Sequence, residues 1–146
     1  MQFSYNWLQK HFEQKLPTPA EIEDGVIFHS FEVEGIEKKA DDSLLEIKIL
    51  PDRAHDCLCH EGVAREISAI FKLPLKNCAP KDTPGVPIDR QLEIKIADPK
   101  LCRRYIGRLI EGIKVGESPA WLREKLEGIG QRSINNIVDA TNYGLW

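Results

Sequence analysis

A dense run of chemically capable side chains lies between positions 55 and 60 of this 146-residue sequence. It contains two histidines, two cysteines and one aspartate: His55, Asp56, Cys57, Cys59 and His60. Thiolate and imidazole are the ligands that zinc prefers, but a structural zinc site takes four ligands, typically from two separated pairs. The sequence holds no second Cys-x-x-Cys or His-x3-His pair. We therefore predict that the run binds no metal.

A catalytic role for the same run is the second hypothesis. Cys57 lies at the start of a helical pattern, and the dipole at a helix N-terminus would stabilise its thiolate. The structural alternative is that Asp56 caps the helix, that Cys57 is buried and that Cys59 is a small residue near the cap. No other residue supports a nucleophile, so we predict no catalytic residue in this chain.

Three arginines are candidates for RNA contact. Arg53 precedes the run described above, and Arg104 and Arg108 flank Tyr105 on a predicted strand. The alternatives are an internal ion pair for Arg53 and coverage of a sheet edge for the other two. The net charge of -3 lacks the strongly basic character of proteins that bind nucleic acid mainly through phosphates. We predict local RNA contacts and no binding to DNA.

The elements that position these residues are clearest in the first 72 residues. Thr18, Pro19 and Glu21 form a capping box that predicts the start of a helix. In LLEIKIL the apolar residues alternate with Glu46 and Lys48, which predicts a half-buried strand. The segment CLCHEGVAREISAIF has apolar residues at helical spacing, namely Leu58, Val63, Ala64, Ile67, Ile70 and Phe71.

A Pro-rich stretch separates this part from the rest of the chain. Four prolines between positions 73 and 89 predict an extended linker. Beyond it, LEIKIAD and RYIGRLIEGIKV predict two strands, and Ser118 and Ser133 are candidate caps of two helices. The predicted fold class is α+β, with two small mixed α/β units: residues 1–72, a linker over 73–89, and residues 90–146.

The composition and the termini indicate a cytoplasmic protein. The N-terminus lacks a basic segment followed by an apolar one, and no stretch approaches the roughly 18 apolar residues of a membrane span. Four unevenly spaced cysteines are unlike a disulfide framework, which favours reduced thiols. No P-loop is present either, so the motifs predict no bound cofactor and no ATP site here.

Four motifs in order carry a family resemblance. These are SYNWL, FEVEGIE, PDRAHDCLCHEGVAREISA and RYIGRLIEGIKVGESPAWLREKLEGIGQRSINNIVDATNY, and together they resemble the β subunit of phenylalanine–tRNA ligase. The resemblance implies a part of an enzyme that uses ATP and Mg²⁺, has an α subunit as partner and acts on tRNA. It also implies that residues 1–72 serve assembly, and that residues 90–146 are the incomplete start of an editing-associated domain.

The resemblance names two further site residues and shows two departures. Thr141 and Asn142 match the edge of the family's proofreading pocket, although Asn side chains also commonly bond to nearby backbone. The family inserts an OB-fold tRNA-binding domain after FEVEG, where this chain has only KKADDS. Family members also continue past TNY into a Gln-Pro-x-His segment. We therefore expect a reduced, truncated form; the alternative is a free-standing, non-catalytic module that binds tRNA or a protein.

Overall fold

The computed structural model describes residues 1–77, 93–107 and 109–146. Its contacts form two compact units, one of Met1–Cys78 with Val115–Trp146 and the other of Ala79–Lys114. The described part mixes helices with a small antiparallel sheet, which confirms the α+β fold class. The predicted domain limits at residues 72 and 90 stay predictions, and most of the predicted linker lies outside the described residues.

A three-stranded antiparallel sheet organises the first unit. Its strands are β1 (Gln2–Ser4), β2 (Glu32–Lys39) and β3 (Asp42–Lys48), in the spatial order β1-β3-β2. Along β3, Leu45 and Ile47 are buried and the charged residues between them are exposed, as the alternation predicted. The register between β2 and β3 shifts between Val33 and Gly35, which marks a β-bulge in β2.

The turn between β2 and β3 lies where the resemblance predicts a missing domain. Lys39 pairs directly with Asp42, so two residues connect the strands. Ala40, the first of them, has a φ of 40°, a conformation that two-residue hairpins usually assign to glycine. A two-residue hairpin turn therefore stands where the resemblance implies an inserted domain in other family members.

A 3-10 turn (Pro51–Arg53) and six α-helices complete the described secondary structure: α1 (Tyr5–Gln9), α2 (Pro19–His29), α3 (Ala54–Cys57), α4 (His60–Phe71), α5 (Ala120–Gly128) and α6 (Asn136–Leu145). Ser4 caps α1 by accepting a hydrogen bond of 3.0 Å from the N–H of Trp7. The predicted capping box of α2 is present, with both bonds between Thr18 and Glu21 formed. No helix of the described residues is long and apolar enough to cross a membrane.

The core of the first unit lies between the sheet, α2 and α4. Burial of apolar surface there is the main favourable term in folding. Its fully buried members come from all three elements and from α1: Phe3, Leu8, Ile22, Val26, Leu45, Ile47, Val63, Ala64 and Ile67.

The two strands predicted after the linker are wrong. Residues 93–107 and 109–119 contain no strand in the structure. Alternation provides an apolar face but no hydrogen-bonding partner, and a two-stranded ribbon alone is marginally stable in water. Leu101 and Ile106 are 88% and 72% exposed, so the apolar residues of this segment lack the burial that a sheet would give them.

Candidate functional site

Arg53 is the centre of an ion-pair network at the start of α4. Its Nη2 lies 2.8 Å from Oδ2 of Asp56 and 2.5 Å from Oε1 of Glu66. Glu66 also accepts a hydrogen bond of 2.9 Å from Ser30, which joins the end of α2 to α4. Hydrogen bonds from Arg53 lower the pKa of both carboxyl groups. Arg53 thus forms internal ion pairs, as the structural alternative for this residue predicted. RNA contact by Arg53 stays a prediction.

Cys57 does not have the properties of a nucleophile. Its side chain is 1% exposed, and burial raises the pKa of the thiol to about 11 in spite of the neighbouring Arg53. A protonated, buried thiol is chemically inert. The hypothesis of an activated Cys57 is therefore wrong. Asp56 was predicted to cap the helix, but Cys59 caps α4 instead and accepts the N–H of Gly62 at 3.4 Å. The carboxylate of Asp56 pairs with Arg53.

Within the part of the chain that the structure describes, only two residues of the run between positions 55 and 60 lie in a group whose atoms could hold a metal. Asp56 and Cys57 lie close to Glu66, with ligand atoms within 4.8 Å of one another. Glu66 was missed as a member of this group because it lies two turns along α4. The guanidinium of Arg53 already supplies the positive charge between the two carboxylates. A cation would have to displace it, which supports the prediction that this chain binds no metal there.

His60 lies apart from that group and is fully enclosed. Its Nε2 accepts the N–H of Ser4 at 3.0 Å, and its Nδ1 faces the carbonyl oxygen of Trp146 at 2.7 Å. These contacts assign the proton to Nδ1, and burial lowers the pKa of the ring to about 4. The imidazole stacks on Trp7 with 4.0 Å between ring centroids. His60 is thus a neutral structural residue with both nitrogens in use.

A second group of aromatic and basic side chains lies beside His60. Trp7 stacks on Tyr143 with 4.9 Å between ring centroids. The Nζ of Lys125 lies 4.4 Å from the centroid of Trp7 and 5.2 Å from that of Tyr143. Trp121 contacts Tyr143, and Lys10 and His11 interact electrostatically with Lys125. We name Lys10, His11, Trp121, Lys125 and Tyr143 the basic–aromatic cluster. Sequence reasoning missed it because its members come from segments more than a hundred positions apart.

Thr141 and Asn142 lie on α6, as the helical pattern predicted. Thr141 is exposed and donates its hydroxyl to the carbonyl of Val138 at 2.6 Å. The carbonyl of Asn142 accepts the N–H of Trp146 at 3.1 Å. The side chain of Thr141 can rotate towards solvent at the cost of one local hydrogen bond. The roles of Thr141 and Asn142 in a proofreading pocket stay predictions.

The start of α6 is fixed by a buried carboxylate. Asp139 is 0% exposed and accepts hydrogen bonds from Ser118 at 2.5 Å and from Ser133 at 2.6 Å. These bonds lower the pKa of Asp139. Neither serine is the cap that was predicted, since α5 begins after Pro119 and the side chain of Asn135 caps α6.

Of the other two arginines, the structure describes only Arg104, which belongs to the second unit. Arg104 is exposed, and its carbonyl accepts a weak contact from the thiol of Cys102 at 3.6 Å. Arg108 lies outside the described residues. RNA contact by either of them stays a prediction.

Comparison with known proteins gives consistent matches. The family described as "B3/4 domain" matches residues 101–146. The phenylalanine–tRNA ligase β subunit of Dehalococcoides mccartyi strain CBDB1 is 48% identical over 101 residues, which are 68% of this chain and 12% of that protein. The β subunit of Bdellovibrio bacteriovorus is 46% identical over 104 residues, or 70% of this chain and 13% of that protein.

A third relative aligns over almost the whole chain. The phenylalanine–tRNA ligase β subunit of Rhodopirellula baltica is 36% identical over 145 residues, which are 98% of this chain and 21% of that protein. The chain thus spans between 12% and 21% of the length of these three relatives. No solved structure gives a significant match.

Proposed function

This chain belongs to the family of phenylalanine–tRNA ligase β subunits, and from that membership we propose that it forms the N-terminal part of such a subunit. The observation that carries the proposal is the alignment of 98% of the chain with one β subunit at 36% identity. The match of residues 101–146 to the B3/4 domain supports it independently.

In the proposed enzyme the β subunit assembles with an α subunit in the cytoplasm. The complex attaches phenylalanine to its tRNA and uses ATP with Mg²⁺. In this proposal, other parts of the complex hold the nucleotide and the metal. Residues 1–72 contribute to assembly.

The second contribution of this chain is to proofreading. Thr141 and Asn142 would lie at the edge of a pocket that hydrolyses wrongly attached tyrosine. A hydroxyl and an amide can orient a water or the substrate ester by hydrogen bonding. The anchoring of α6 through Asp139 supports this role, because a fixed helix holds both side chains in a constant geometry.

The test is co-expression of the full β subunit that carries this chain with the α subunit from the same genome. We expect the two to co-purify and to charge tRNA with radiolabelled phenylalanine in the presence of ATP. Omission of ATP and exchange of phenylalanine for leucine are the controls. A protein that neither co-purifies with the α subunit nor supports charging would contradict the proposal. Binding to tRNA or to the α subunit without any charging would instead establish the interaction-module alternative.

A further inference from the structure

Two buried polar atoms of the first unit have no hydrogen-bond partner among the described residues. They are Nε2 of His11, just after α1, and Nζ of Lys125 on α5. Most buried polar groups in proteins are hydrogen-bonded, and each exception calls for a physical explanation. Two such atoms in one cluster indicate a missing acceptor.

Two lysine side chains lie together at these atoms. The exposed Lys10 contacts Lys125, yet an ammonium group only donates, so two ammonium groups cannot bond to each other. Burial and the charge of Lys10 lower the pKa of Lys125 to about 8. Burial likewise lowers the pKa of His11, and the charge of Lys125 adds to that effect. An anion between these groups would offset the repulsion between the two lysines and would accept hydrogen bonds from Lys125 and His11.

The nearest acids are already engaged. Asp42 acts on Lys125 from a distance, but its carboxylate accepts the hydroxyl of Ser4 at 2.5 Å and the N–H of Asn6 at 2.9 Å. Glu61, which acts on His11, is paired with Arg65. The acceptor for Lys125 and His11 must therefore come from outside the described residues.

An exposed aromatic ring adjoins Lys125, whose Nζ contacts aromatic rings but has no hydrogen-bond acceptor in the described part of the chain. Trp121 and Lys125 are four positions apart on α5, so they share one face about 6 Å apart along the helix axis. The Trp121 side chain is 53% exposed, and its ring meets the edge of Tyr143 at 5.5 Å between centroids. An exposed ring beside a cation is the combination that recognises unpaired nucleotides, by stacking on the base and pairing with the phosphate.

We propose that Lys10, His11 and Lys125 bind a phosphate group of an unpaired RNA nucleotide and that Trp121 stacks on its base. The exposed Lys10 side chain, which contacts Lys125 in the free protein, would turn to share the phosphate with it. The choice of RNA over other phosphate compounds rests on the proposed function. The site is separate from Arg53, Arg104 and Arg108, and it is a local contact in a chain whose net charge is -3.

The experiment titrates the full chain against a fluorescein-labelled single-stranded RNA oligonucleotide, with anisotropy read at several salt concentrations. We expect Lys10→Ala and Lys125→Met each to weaken binding about fivefold or more and to reduce the salt slope by about 1. Trp121→Ala should weaken binding about tenfold, whereas Trp121→Phe, which keeps a stacking ring, should retain most of it.

Matched controls remove the same side-chain types elsewhere. Lys38→Ala takes away an exposed lysine on β2, and Phe28→Ala takes away an aromatic ring that is 86% exposed on α2. Both should bind RNA like the unaltered chain. Lys10 and Trp121 are exposed, so their variants should keep the fold, and circular dichroism checks each variant before the titration.

The outcomes separate this inference from the proposed function. Equal RNA binding by the cluster variants and the controls would overturn the inference. So would a chain that ignores RNA but is protected against thermal unfolding by inorganic phosphate in a Lys125-dependent way, since the ligand would then be free phosphate. RNA binding that depends on the cluster, in a protein that supports no charging of tRNA, would uphold the inference and contradict only the proposed enzyme.

Discussion

The thiol of Cys57 lies 3.2 Å from Nη2 of Arg53, a neighbour that by itself favours the thiolate. Burial has the larger effect and raises the pKa of this thiol to about 11. At pH 8 only roughly one Cys57 in a thousand is then ionised. The sequence shows Cys57 near a helix start, but it does not show the enclosure that decides its reactivity.

We expect iodoacetamide at pH 8 to modify Cys59 and Cys102 in the folded chain while Cys57 stays unmodified. Both expected targets are partly exposed, whereas Cys57 is enclosed. Tandem mass spectrometry distinguishes Cys57 from Cys59 on their shared tryptic peptide. Labelling in urea, where every thiol reacts, is the control. Faster modification of Cys57 than of Cys59 in the folded protein would show that our account of its environment is wrong.

Thr141 and Asn142 permit a test of proofreading at the level of single side chains. In the α–β complex, Thr141→Ala or Asn142→Ala should slow hydrolysis of tyrosine from mischarged tRNA about fivefold or more, as expected for one lost hydrogen bond of about 1 kcal/mol. Thr141→Ser keeps the hydroxyl and should hydrolyse normally. Charging with phenylalanine should stay unchanged in all three variants. If both alanine variants hydrolyse mischarged tRNA as fast as the unaltered complex, Thr141 and Asn142 have no role in proofreading.

At the scale of elements, Gly62 sets the approach of α3 to α4. A Cβ atom at this position would lie 1.7 Å from the carbonyl oxygen of Asp56, and backbone cannot move aside as a flexible side chain can. Gly62→Ala should therefore lower the free energy of unfolding by about 3 kcal/mol or more, in line with severe overpacking. Urea denaturation measures the change.

Gly128 on α5 provides the matched control for Gly62. No atom lies within 4 Å of a Cβ built there, so Gly128→Ala should leave stability unchanged or raise it by up to about 1 kcal/mol. Equal effects of the two substitutions would mean that α3 and α4 are not in close contact in solution.

The helices of the first unit were predictable because their signals are local. The capping box of Thr18 and Glu21 and the apolar spacing of α4 lie within one or a few turns of sequence. The strand β1 was missed because three residues are too few to show alternation. The strands predicted at 92–96 and 104–115 failed for the opposite reason, since their alternation was clear but strand formation depends on a partner that local sequence does not reveal.

At the scale of the whole molecule, distant segments meet around His60. The ring contacts Ser4 beside α1, stacks on Trp7 and bonds to the carbonyl of Trp146 at the end of α6. The basic–aromatic cluster likewise combines Lys10 and His11 with side chains of α5 and α6. No spacing rule connects such positions. The candidate sites predicted from sequence were therefore single runs, and the group assembled by tertiary contacts was missed.

Because His60 joins these segments as a neutral ring, its protonation should weaken the first unit. Its pKa is about 4 in the folded chain and about 6.5 in an unfolded one, so the unfolded state binds more protons between these values. The free energy of unfolding should therefore fall by about 3 kcal/mol as the pH drops from 6.5 to 4. Asp56, Glu66 and Asp139 have lowered pKa values, so their stabilisation is lost mainly below that window.

Urea denaturation at half-unit pH intervals between 4 and 7 measures this slope. His60→Gln cannot titrate at this position and should show a flatter dependence, with the part due to His11, whose pKa burial also lowers, remaining. The variant is less stable than the unaltered chain at pH 7 because the ring contacts are lost. His55→Gln, which removes an imidazole that is 74% exposed, should keep the original slope. An unchanged slope in His60→Gln would assign the pH dependence to other groups and would mean that His60 is not enclosed as a neutral ring.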